Sequence, residues 1–182
     1  MKEKLLVGVM ALALFVIMIA ASVAAVKTEG PSASNGLSHP GEVSQLYLYE
    51  KDPLTWDPIA GGAWGKMTFD KAGTTFDFVF NGHGLDAGDN YTLIYYPDPW
   101  PGAGLICFGS DTANAGGNVH IAGSVETNTD LPAAFDANYP NGAKIWLVLS
   151  GDVKCDAPSQ MTGWNPTEYL FEYNLVKFDD TG

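Results

Sequence analysis

Beyond about position 42 the apolar residues recur at every second position in short runs, and clusters of Gly, Pro, Asn and Asp separate the runs. This is the pattern of strands with one buried and one wet face. In Thr74 to Phe80, the side chains of Phe76, Phe78 and Phe80 share one face and those of Thr75 and Asp77 the other. The phenylalanines are therefore expected in a core. Met67 and Phe69 repeat the alternation against Lys66, Thr68 and Asp70, and Lys71-Ala72-Gly73 is placed to close a hairpin between the two strands. Further strands are predicted over Val43–Tyr49, Asn90–Tyr96, Leu105–Phe108, Asn118–Val125, Ala143–Ser150 and Glu168–Phe178. Tyr91–Tyr96 and Ile145–Leu149 are apolar on both faces, as interior strands are. Asn81-Gly82, Gly116-Gly117-Asn118 and Asn141-Gly142 read as turns, and Leu131–Asn138 as a turn or two of helix. The expected fold is all-β: a single antiparallel β-sandwich of about eight strands, immunoglobulin-like or jelly-roll-like, over residues 42–180.

The residues before this domain follow a different pattern. Lys2 and Lys4 precede Leu5 to Val26, a stretch without charge that ends in small residues of the kind a signal peptidase reads. Residues 1–25 are expected to be a signal peptide or an uncleaved signal anchor, because about 20 apolar residues suffice to span a bilayer as a helix. Residues 26–41, poor in apolar side chains and rich in Ser, Gly and Pro, read as a flexible tether. The domain is thus expected outside the cell or on its surface, touching a membrane only through an N-terminal hydrophobic helix within residues 5–26.

Charge narrows the partners. The chain has 9 lysines, no arginine and 21 acidic residues, for a formal net charge of −12. Nucleic acid demands a basic footprint and is excluded, as is adhesion to anionic lipid.

The runs Asn81-Gly82-His83-Gly84-Leu85, Tyr91 to Pro101 and Gly117 to Ser124 together resemble a group of small exported β-sandwich proteins of archaea and some bacteria that carry no assigned activity. The likeness extends from about Val43 to Phe178. It implies a fold and an address, and no reaction.

Cys107 and Cys155 are the only two cysteines, and an even pair in an exported chain is expected to form a disulfide. His83 and His120 sit in or near the strands at 74–80 and 118–125. If those strands are neighbours, the two rings have a route to a shared transition metal, while Asp86 and Asp89, crowded into one turn, offer oxygen ligands for calcium. Against this, Asp and Asn are ordinary turn formers, and no local spacing matches a known metal loop. No cofactor is expected; a bound metal, calcium foremost, is the alternative.

The most unusual segment contains Tyr95, Tyr96, Asp98 and Trp100 among prolines. A stiff backbone presenting aromatic rings is a contact platform for a glycan or a cell-surface protein. The alternative is that Trp100 folds back as a plug, and Trp56, Trp64 and Trp164, in similar Gly and Pro surroundings, take the same two readings. Motifs for a nucleophile elbow, a phosphate loop or a zinc-protease helix are absent. The expected function is a non-catalytic binding or envelope module; a metal-binding exported domain and a small extracellular hydrolase are the alternatives.

Overall fold

The computed structural model describes residues 43–182, so the leader and the tether lie outside the described residues. In chain order the strands are β1 (Val43–Tyr49), β2 (Trp64–Asp70), β3 (Ala72–Gly73), β4 (Phe76–His83), β5 (Asn90–Tyr96) and β6 (Ile106–Thr112), then β7 (Val119–Val125), β8 (Lys144–Leu149), β9 (Val153–Lys154), β10 (Gln160–Met161), β11 (Leu170–Glu172) and β12 (Asp179–Asp180). Among the described residues no helix is long and apolar enough to cross a membrane.

Eight of these strands form one sheet in the order β6-β5-β8-β11-β1-β2-β4-β7, antiparallel at every pairing. Each overlaps one of the eight predicted strands, although β6 runs on to Thr112 and β11 is only three residues long. The two edges meet: β6 and β7 are in contact, and the backbone N–H of His120 on β7 donates to Asp111 Oδ2 on β6 at 2.9 Å. The sheet is therefore curled nearly into a barrel, whereas a sandwich would present two separate facing sheets. Alternation along a strand fixes which residues face inward but not whether the sheet closes on itself or splits in two.

The interior is filled as the alternation predicts. Phe76, Phe78 and Phe80 are buried with Met67, Phe69 and Leu48, while Asp77 and Val79 point out. Gly65 and Gly82, paired across β2 and β4, make room for this packing. A Cβ on Gly65 would meet the Phe80 ring at 2.3 Å and one on Gly82 would meet Val119 Cγ2 at 2.8 Å, so Asn81-Gly82, expected as a turn, lies within a strand, where its glycine serves close packing.

Strands β5 and β8 are buried on both faces for a reason specific to this fold. Tyr91, Leu93, Tyr95, Ile145 and Leu147 face the interior, whereas Ile94, Tyr96, Trp146 and Val148 face a second cluster with Leu105, Met161, Tyr169 and Phe171. The segment 150–169 carries most of this outer cover. The Cys107–Cys155 disulfide, with Cα atoms 5.7 Å apart, pins the cover to β6.

Two further local expectations are corrected, and a third is met with an addition. Residues 131–138 form turns instead of helix, with Leu131 bridged to Phe178 and Asp136 N–H bonded to the Ala133 carbonyl. The strand expected over 168–178 is regular only at β11, after which Val176 and Phe178 make isolated bridges to Ala143 and Leu131. The hairpin between β2 and β4 is present, but Ala72-Gly73 in its loop also pairs in parallel with Asp179-Asp180.

Candidate functional site

Outside the barrel, above β5, β8 and β11, four of the five tryptophans converge. Trp56, Trp100, Trp146 and Trp164 line an open cavity of about 620 Å³ together with Tyr96, Asp98, Pro99 and Lys144. The floor is Trp146, 5% exposed and stacked on Tyr96 with centroids 3.8 Å apart and planes 11° from parallel. The walls are Trp56, Trp100 and Trp164, which are 42%, 52% and 44% exposed. Trp164 is central: its ring lies 6.5 Å from Trp56, 5.7 Å from Trp100 and 6.0 Å from Trp146. Large apolar rings are rarely left this open in a cluster unless something covers them.

Each wall is held by its own device. Trp56 closes a turn in which the Asp52 side chain accepts from the N–H groups of Leu54 and Thr55, and the Asp52 carbonyl accepts from Trp56 N–H. Its φ of 64° lies in the left-handed region, a cost on the order of 1–2 kcal/mol for a bulky residue. Such strain tends to persist at functional positions. The Trp56 ring rests 4.7 Å from Phe171, and the Lys51 ammonium sits 5.8 Å from its centroid. Trp164 is placed by Asp152. Thr162 and Gly163 N–H donate to the Asp152 carbonyl, and Asn165 Nδ2 and the Tyr169 hydroxyl donate to its Oδ2 at 2.7 and 2.6 Å. Burial and this bond to a carboxylate push the Tyr169 phenol up.

The Trp100 loop hangs from a buried carboxylate. Asp136, 3% exposed, accepts from the Tyr95 hydroxyl at 2.7 Å and from the N–H groups of Asp98 and Asn138 at 3.0 and 2.8 Å. Tyr95 Oη in turn accepts from Ala133 N–H. Asp98 is joined by Asn138 Nδ2 and by the Lys144 ammonium, which also lies 5.8 Å from the Tyr96 ring centroid. Burial first, and then the charges of Asp98 and Asp136, raise the Tyr96 phenol to about 12. It is therefore a neutral ring at any physiological pH.

Beneath the floor lies Glu172. Burial raises its carboxyl to about 7; its own backbone N–H, Lys51, Lys144 and the Trp146 indole oppose the rise. Its Oε2 and Trp146 Nε1 are both buried without a partner at hydrogen-bonding distance and angle. Because the folded state holds this proton more tightly than an ordinary glutamate near 4.5, stability should fall as pH rises from about 4.5 through 7, by on the order of 3 kcal/mol. Glu172→Gln is expected to remove that slope and to be the more stable protein at pH 8. Urea midpoints across pH 4 to 8 check this, and parallel profiles for the two proteins would refute it.

The four expected loop residues divide. Tyr96, Asp98 and Trp100 line the cavity, but Tyr95 faces the barrel interior, fully buried, and serves only as an anchor for Asp136. The metal candidates are not brought together. Strands β4 and β7 are neighbours, yet His83 Nδ1 bonds Asn118 Oδ1 at 2.7 Å and His120 Nδ1 bonds Asn81 Oδ1 at 2.8 Å. Asp86 and Asp89 stand in the turn after β4, where their backbones bond each other and Tyr91 reaches Asp86 N–H. Among the described residues no three His, Cys, Asp or Glu side chains are grouped to hold a metal. Trp146 and Lys144 are cavity residues that the sequence alone did not single out. The double-sided apolar run Ile145–Leu149 hid Trp146, whose bulk was the one available signal, and Lys144 sits at the start of that strand with no motif around it.

Fold and site together define a class: a nearly closed antiparallel β-barrel with an aromatic cavity on its outer wall. No protein-family model, no curated protein and no solved structure matches the chain.

Proposed function

We propose that this protein is a non-catalytic, extracytoplasmic carbohydrate-binding module, with residues 1–25 as its export signal or anchor. One observation carries the reading: four tryptophans from four separate segments surround an open cavity, with a polar pair, Lys144 and Asp98, at its edge. A sugar ring has one apolar face of C–H groups and an equatorial fringe of hydroxyls. Indole walls suit the first and a charged hydrogen-bonding pair the second. The disulfide and the acidic balance fit a protein that works outside the cytoplasm. A hydrolase would need a pair of carboxylates facing the ligand; the cavity lining holds Asp98, already engaged by Lys144 and Asn138.

A glycan array with the secreted domain, followed by calorimetry on the best ligand, tests this. Trp100→Ala is the informative variant, since its ring is 52% exposed and meets Trp164 edge-on outside the buried core. It should fold normally and bind roughly tenfold more weakly. An array without any glycan signal would remove the proposal.

A further inference from the structure

The cavity does not end at Trp56. Register places Trp146 opposite Phe171, Phe171 opposite Tyr49, Tyr49 opposite Trp64, and Trp64 opposite His83, so one cross-strand row runs from the cavity floor over β8, β11, β1, β2 and β4. The four steps between these strands, each about 4.8 Å, make a path on the order of 19 Å. Beyond the cavity wall this path is lined by rings, half-buried at Tyr47, Tyr49, Trp64 and His83. Tyr173, 49% exposed, lies 5.8 Å from Tyr49; Tyr49 and Tyr47 are 6.3 Å apart with planes 18° from parallel; Tyr47 is 6.5 Å from Trp64, and Trp64 is 4.7 Å from His83.

The neighbouring row is polar. Tyr47 is paired with Lys66, Lys66 with Asn81 and Asn81 with His120, and the Lys66 ammonium stands 5.9 Å from the Tyr47 centroid. No member of either row is a carboxylate in a chain that has 21 of them; the polar row meets its first one at Asp111, which accepts from His120 N–H at its far end. A solvated outer face of this protein would be expected to carry its share, as Asp70 and Asp77 do further along the same strands. Rings flanked by amides, imidazoles and an ammonium match a chain of sugars, with apolar faces stacked and hydroxyls bonded at the margin.

We infer that the ligand is a linear oligosaccharide, whose end sits among the tryptophans and whose following units cross the sheet over Tyr173, Tyr49, Tyr47 and Trp64 toward His83. This rests on the carbohydrate reading of the cavity and adds chain length to it. A narrow row of rings running across the curved outer wall admits an extended chain and gives no purchase to a compact, branched glycan.

Calorimetry with chitobiose, chitohexaose, cellobiose and cellohexaose separates the two claims. For one series the hexamer should bind at least tenfold more tightly than the dimer. Trp64→Ala should weaken hexamer binding roughly three- to tenfold and leave the dimer unchanged. Tyr173→Ala, at an exposed ring, should act in the same direction and serves if Trp64→Ala fails to fold. Equal affinity for dimer and hexamer, or a hexamer indifferent to both substitutions, would overturn the extended path while leaving the cavity reading standing. If no member of either series binds and the array is also blank, both fall together.

Discussion

Replacing Cys107 and Cys155 together by alanine should lower the stability of the domain by about 4 kcal/mol, the chain-entropy value for a closed loop of 48 residues. The loop so closed contains β7, β8 and the first part of the outer cover. The effect should also be local. Tyr169, Met161 and Val153 pack against β5 and β8 from outside, and the bond at Cys155 is the one covalent tie between that cover and β6. Hydrogen exchange in the double variant should rise first in 150–169, which includes Trp164. Guanidinium melts measure the total, and a loss under about 1 kcal/mol would show that packing alone holds the cover.

Asp136→Ala should cost about 3 kcal/mol and weaken ligand binding as well. The substitution leaves three donors without their acceptor: the Tyr95 hydroxyl, Asp98 N–H and Asn138 N–H. Orphaning a buried donor costs about 1–3 kcal/mol, and the three share one acceptor, so the sum is not additive. The carboxylate ties the 131–141 turns to the strand end from which Trp100 projects, so its loss should let that wall move. Asp136→Asn keeps one acceptor oxygen and should lose less in both assays. Thermal melts and calorimetry on the two variants check the order; equal stability of Asp136→Ala and the unaltered protein would refute it.

Much of the wall-building was legible before the structure. The alternation in Phe76–Phe80 and in Met67–Phe69 gave the right inward faces, because a strand with polar residues on one side has only one way to bury itself. The eight strand positions follow from the same local rule, and the disulfide from an even pair of cysteines in a chain read as exported. In Tyr91–Tyr96 the rule is silent. Both faces are apolar, so nothing local says that Tyr95 enters the barrel and Tyr96 the cavity. Sheet order was also out of reach, since β8 inserts beside β5 and β11 beside β1 through connections whose sequence carries no pairing signal. The cavity depends on that order. Trp56, Trp100, Trp146 and Trp164 become neighbours only because β5, β8 and β11 are adjacent and the 150–169 cover folds over them.

The central claim is that the tryptophan cavity receives a sugar. With the nitrogen-labelled domain, the five tryptophans give five indole N–H resonances, and the best oligosaccharide from the array can be titrated while all five are followed. The signals of Trp56, Trp100 and Trp164 should shift together along one saturable curve. Saturable binding with those three signals unmoved would contradict the account.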